Sequence, residues 1–146
     1  MKKPHAGHQT QWAAQFAVAS ELCRRDYQVA LTLGNHPTID LMVVSPNGSA
    51  FFVDVKGQYR NNFWPVKPKE KKQKDLFYIL AYVPDPKEGA NRFFILTQDE
   101  ADVGAAETTA AWKARKPIRA DQIDPMPGLS PEYARKHENC WNKLPA

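Results

Sequence analysis

The sequence predicts an α/β fold: a central mixed β-sheet flanked by helices, closed by an irregular proline-rich C-terminal tail. Three observations predict it. An apolar stripe at helical spacing stands near the N-terminus, short aliphatic and β-branched runs separated by turn signals follow, and prolines accumulate from Pro117 onward. The 146 residues suit one domain, read as 1–116, with residues 117–146 as a tail packed on it.

The first element is a helix over about Thr10 to Arg25. Trp12, Phe16, Ala19 and Cys23 recur at helical spacing and form its apolar stripe, with Leu22 beside them. Thr10 is the expected N-cap, and Arg24 and Arg25 suit the C-terminal end. Gln15 lies on the edge of the stripe, and Glu21 projects from the opposite side. Strands are expected at Tyr27–Leu33, Ile39–Ser45 and Ala50–Lys56, separated by Gly34-Asn35-His36-Pro37 and Pro46-Asn47-Gly48. A short extended piece is expected near Phe63–Val66. Leu76–Val83 is a continuous apolar run, the signature of a central strand buried on both faces. Arg92–Leu96 is the last strand. A second helix is expected over Gln98–Lys116 on Ala101, Ala105, Ala111 and Trp112, although Gly104 lowers its propensity. In the tail, Tyr133 and Trp141 are the expected anchors, because large aromatics are costly to leave in water.

Composition narrows the function classes. No apolar run approaches the roughly 20 residues of a membrane span, and the N-terminal stretch shows no secretory h-region. Cys23 and Cys140 are far apart and outside any CxxC pattern, which argues against a disulfide framework or a zinc site and for a cytoplasmic setting. The net charge of +4 is compatible with a polyanionic partner. Its distribution says more: Lys67, Lys69, Lys71, Lys72 and Lys74 fall in one short stretch.

The constellation that carries chemistry is Asp40, followed by Asp54-Val55-Lys56. Asp54 and Lys56 are two apart on a strand and share a face. Asp40 joins them only if the intervening connection has odd parity. A hairpin centred on Asn47 sets Asp40 opposite Asp54, whereas a two-residue Asn47-Gly48 loop turns it to the other face. Both aspartates stand among apolar residues, where charges are expensive unless paired or bound to metal. Two neighbouring carboxylates suit Mg²⁺. The cation polarises a phosphodiester and acidifies water, and a lysine beside it orients the nucleophile or stabilises developing charge.

The order helix, strand, Gly34-Asn35-His36-Pro37-Thr38-Ile39-Asp40, strand, turn, and strand with Asp54-Val55-Lys56 resembles the PD-(D/E)XK nuclease superfamily. Phe16 to Tyr27, with Leu31 to Asn35, is similar to small bacterial members of it, and Glu138 to Pro145 also looks like the end of such proteins. The resemblance covers about residues 9–97. It implies a restriction endonuclease-like core and a metal-dependent endonuclease that hydrolyses DNA. It implies Mg²⁺ (or Mn²⁺) bound by Asp40, Asp54 and the Val55 carbonyl, and a catalytic role for Lys56. Many members place a Glu on the first helix where this chain has Gln15, a departure that leaves an amide to assist instead. The resemblance also admits a homodimer, since cutting two strands calls for two sites.

Beside such a site, the bland reading of the basic stretch as a solvated loop stands against phosphate contact by Lys67, Lys69, Lys71, Lys72 and Lys74, with Arg60 and Asn62 lining the same cleft. Trp64 and Cys23 are expected in the core, and His5 and His8 near the terminus carry little weight as ligands. Three functions follow: an active endonuclease, a nuclease-like module that binds without cutting, for which Gln15 is the motive, and an interaction protein whose Asp and Lys form an ordinary ion pair.

Overall fold

The computed structural model describes residues 7–115 and 125–146. His5, Lys116 and the start of the tail at 117–124 lie outside the described residues. The chain is a mixed α/β fold. Helix α1 (Gly7–Arg24) leads into β1 (Gln28–Leu31), β2 (Leu41–Val44) and β3 (Ala50–Gln58). The short β4 (Trp64–Pro65), then β5 (Leu76–Tyr82), β6 (Arg92–Thr97) and α2 (Gln98–Arg115) follow. The C-terminal segment adds β7 (Gly128–Leu129), α3 (Pro131–Arg135) and a 3₁₀ turn (Trp141–Lys143).

Five strands form one sheet in the order β1-β2-β3-β5-β6. The β3–β5 pair is parallel and the others antiparallel, so the sheet is mixed. Strand β5 lies between β3 and β6 and is buried along most of its length, as its unbroken apolar run predicts. Odd-numbered residues of β3 (Phe51, Val53, Val55) pack under α1 with Val18, Leu22 and Trp141. On the other face, Tyr78 and Leu80 of β5 pack with Trp64, Leu129 and Ala101 of α2.

The turn between β2 and β3 decides the parity. Val44 pairs with Ala50, leaving the five residues Ser45–Ser49 as the connection. Gly48 turns it at φ 89°, and the Ser45 hydroxyl accepts the Ser49 N–H at 2.9 Å. Five is odd, so Leu41 faces Val53, and the same count sets Asp40 level with Asp54.

Helix α1 departs from the expected phase. It begins at Gly7, so Thr10 is buried within it instead of capping it. The buried face is Ala14, Val18, Ala19 and Leu22, with Gln15. Phe16 and Cys23 are exposed, and Trp12 stacks on Phe16 at the surface, centroids 5.7 Å apart. The reason is steric. A Cβ placed on Gly57 of β3 would meet the Ala14 Cβ at 2.6 Å, so the helix crosses too close for large side chains. Helix α2 behaves alike: Gly104 lies against Tyr133 and Leu129, where a Cβ would sit 2.3 Å from the Tyr133 ring. The residue that lowers helix propensity is therefore the one that admits the C-terminal segment, and Ala111 is exposed.

Tyr133 and Trp141 are buried anchors, as expected, but the segment around them is not wholly irregular. Ser130 caps α3 by accepting the Tyr133 N–H at 3.2 Å. Tyr133 donates its hydroxyl to the Glu100 carbonyl at 2.6 Å. Arg92 and Glu138 form a two-bond ion pair at 2.7 and 2.8 Å. No helix among the described residues is long and apolar enough to cross a membrane.

Candidate functional site

The site forms where β2 stops and β3 continues. Beyond Leu41↔Val53 the β2-facing edge of β3 has no strand partner, and side chains take over its backbone groups. Asp40 stands one residue before β2, not within it as expected. Its N–H donates to the Val53 carbonyl at 3.0 Å, and its Oδ2 accepts the Val55 N–H at 2.8 Å. Gln11 completes the edge, donating Nε2 to the Val55 carbonyl at 2.7 Å and accepting the Gly57 N–H on Oε1 at 3.3 Å. These bonds satisfy donors and acceptors that would otherwise be costly to bury.

Asp54, buried, projects to the opposite face from Val55, the face shared with Lys56. Its Oδ1 pairs with the Lys56 ammonium at 3.0 Å and its Oδ2 with Lys69 at 3.5 Å. Lys69 also donates to the Tyr78 hydroxyl at 2.9 Å, and Tyr78 is the register partner of Asp54 across the parallel β3–β5 pair. Gln15 donates Nε2 to Asp40 Oδ1 at 3.3 Å. The first helix thus reaches the site through the residue expected to do so.

Burial raises the pKa of the Asp40 carboxyl above the ordinary range, and the charge of Asp54 raises it further. The Val55 N–H, Lys56 and Lys69 act in the opposite direction. Asp40 therefore feels Asp54 and both lysines. Two carboxylates and two ammoniums make one electrostatic unit.

A cleft of about 530 Å³ opens beside Asp54, lined by Asp54, Lys56 and Tyr78 with Pro37, Thr38, Gln73, Lys67, Pro68, Lys69, Glu70 and Lys71; Asp40 and Gln15 lie outside its lining. Three of the expected phosphate-contacting lysines are on it. Lys72 instead pairs with Asp99 of α2, and Lys74 is exposed outside the cleft lining. Asn62 lines a different cleft with Trp112 and Met126, and the Arg60 guanidinium lies over the Tyr59 ring at 5.2 Å. Trp64 is core, as expected.

Gln11, Tyr78 and the direct reach of Lys69 to Asp54 are additions that the structure makes to the expected site. Gln11 had a signal, since it stands one helical turn before Gln15 on the same face.

The donor set fits a hard, hydrated divalent cation. Asp40 and Asp54 supply charge, and the Gln15 Oε1 is buried with no hydrogen-bond partner among the described residues. No group of three or more His, Cys, Asp or Glu suited to a metal occurs among the described residues, so any such centre rests on two carboxylates with neutral oxygens. The Val55 carbonyl, expected as a ligand, already accepts Gln11 and has one lone pair left. No family model, curated protein or solved structure matches the chain.

Proposed function

We propose that the chain is a metal-dependent endonuclease of the PD-(D/E)XK type, with a restriction endonuclease-like core, hydrolysing phosphodiester bonds in DNA. The observation that carries this reading is the convergence of Asp40, Asp54 and Lys56 at the open end of the β2–β3 ladder, with Asp54 and Lys56 lining a cleft that also carries Lys67, Lys69 and Lys71. Asp54 pairs with two lysines but is itself buried, which sets it apart from an ordinary surface ion pair.

Asp40, Asp54 and the Gln15 carbonyl would hold Mg²⁺ or Mn²⁺, which supplies a Lewis acid for the phosphate and acidifies water. Lys56, fixed beside Asp54, holds the attacking water and stabilises charge on the phosphoryl oxygens. The water oxygen bonds to phosphorus, the ester oxygen on the opposite side leaves, and a proton from water ends on that oxygen. Asp40 also fixes the β3 backbone through the Val55 N–H, which keeps Asp54 and Lys56 in place. Lys67 and Lys71 serve the substrate's flanking phosphates with sequence-independent, salt-sensitive affinity. A cytoplasmic location and a homodimer that cuts both strands accompany this reading.

A second reading is a module that binds nucleic acid without cutting. The buried Gln15 amide favours it, since it stands where a third carboxylate would add charge for a metal. Incubation of supercoiled plasmid with Mg²⁺ or Mn²⁺ separates the two. Cutting by wild type, with losses of roughly 100-fold or more in Asp54→Ala and Lys56→Ala, supports the endonuclease. Binding without cutting supports the second reading, and neither binding nor cutting removes both.

A further inference from the structure

We propose that Lys69 is a tethered counter-ion of Asp54 which a divalent cation displaces, and that the released ammonium then takes a substrate phosphate. Cation and phosphodiester binding are thereby coupled through one side chain. This inference rests on the metal-dependent reading above and adds a role for a residue of the basic loop.

Both oxygens of Asp54 are engaged by ammoniums, Oδ1 by Lys56 at 3.0 Å and Oδ2 by Lys69 at 3.5 Å. Each oxygen keeps a lone pair, but a dication at this carboxylate repels both ammoniums, and the more weakly held one gives way first. Lys56 makes the shorter contact and comes from the same strand. Lys69 makes the longer one and comes from the loop between β4 and β5. It also has a second perch: its Nζ is 2.9 Å from the Tyr78 hydroxyl. Tyr78 is buried, so that hydroxyl is a fixed point on the cleft lining. Lys69 can leave Asp54 without losing every hydrogen bond.

The loop itself need not move. Gln73 is clamped to Gln98 of α2, donating its N–H to Oε1 at 3.0 Å and accepting Nε2 on its carbonyl at 2.5 Å. The displacement is a side-chain rotation of Lys69, in a loop anchored to α2 at Gln73.

Charge sets the direction of the coupling. With both carboxyls ionised, Asp40 and Asp54 balance Lys56 and Lys69, so these four groups together are neutral. Adding a divalent cation alone leaves an excess of two positive charges, and a phosphodiester offsets part of it. Each ligand therefore favours the other, reciprocally. Lys67 shares the cleft but is exposed, which makes it the control for a general charge effect.

The test is Mn²⁺ binding by titration calorimetry, with no nucleic acid present, for wild type, Lys69→Met, Lys67→Met and Asp54→Asn. Lys69→Met is expected to bind Mn²⁺ on the order of 5-fold more tightly than wild type. Lys67→Met should change affinity far less, and Asp54→Asn should abolish binding. Affinity in Lys69→Met equal to or weaker than wild type overturns the counter-ion role while leaving the metal site standing. A gain in Lys67→Met as large as that in Lys69→Met overturns it too, by showing only a long-range charge effect. Wild type that binds no Mn²⁺ overturns the metal reading itself, and this inference with it.

Discussion

The Asp40 carboxylate accepts the Val55 N–H at 2.8 Å across the end of the β2–β3 ladder. One side chain closes the sheet edge and is also the proposed metal ligand beside Asp54, so Asp40 carries an observed structural role and a proposed chemical one. They separate by substitution. Asp40→Ala leaves the Val55 N–H and the Gln15 amide without an acceptor and should cost about 1–3 kcal/mol in urea unfolding. Asp40→Asn keeps an oxygen for Val55, and Gln15 can turn its own oxygen towards the new amide. It should lose less stability than Asp40→Ala, yet lose Mn²⁺ binding as completely.

Acid should weaken the site at a higher pH than ordinary carboxylates imply. Burial is the largest cause of the raised Asp40 pKa, followed among the raising effects by Asp54. The folded state therefore favours the protonated acid. The pH-linked part of the stability Asp40 contributes is present at low pH and is lost as pH rises through the folded-state pKa, while its hydrogen bonds to Val55 and Gln15 remain. Cation binding needs the carboxylate, so Mn²⁺ affinity should fall as pH drops through that raised value, with proton release on binding. Calorimetry in buffers of different ionisation enthalpy reads the released proton directly.

Gly104→Ala should destabilise the fold, although glycine to alanine inside a helix ordinarily gains up to ~1 kcal/mol. The added methyl would meet the Tyr133 ring at 2.3 Å and the Leu129 side chain at 2.4 Å. Tyr133 cannot retreat easily, because its hydroxyl is held by the Glu100 carbonyl. Overpacking costs about 1–3 kcal/mol, so the net change in urea unfolding should be a loss.

The C-terminal segment should carry a separate pH signature. His137 Nδ1 lies 2.6 Å from the Lys143 ammonium and 3.2 Å from Glu100. Burial, then Lys143, lowers the His137 pKa, with Glu100 opposing and Lys136 assisting. The fold favours neutral His137, so its stabilisation is complete above the unfolded-state value of about 6.5 and is lost as pH falls below it. Wild type should lose more stability between pH 7.5 and 5.5, buffer values of roughly one unit either side of that point, than His137→Gln does. Equal losses would exclude His137 as the source.

Salt dependence should rank the lysines. Lys67→Ala or Lys71→Ala should each reduce the slope of log affinity for DNA against log salt by about 1. Lys72→Ala should reduce it less, because Asp99 already neutralises Lys72.

Much of this arrangement was legible in the sequence. Asp54 and Lys56 share a face by strand geometry alone, and the Ser45–Ser49 connection has the parity that brings Asp40 level with Asp54. The unbroken apolar run of β5 marked its central position. The phase of α1 was not legible, because large aromatics dominate any hydrophobic pattern, whereas a close crossing at Gly57 selects small residues. Tyr78 and Lys69 were hidden for another reason. Their approach to Asp54 depends on the parallel β3–β5 register and on the loop between those strands, which no local spacing encodes.

The most direct measurement is anomalous diffraction at the manganese edge from crystals soaked in Mn²⁺. One peak is expected within coordination distance of both the Asp40 and Asp54 carboxylates, absent from Asp54→Asn crystals soaked alike. A peak bound elsewhere, or none at this pair, would contradict the metal-dependent reading.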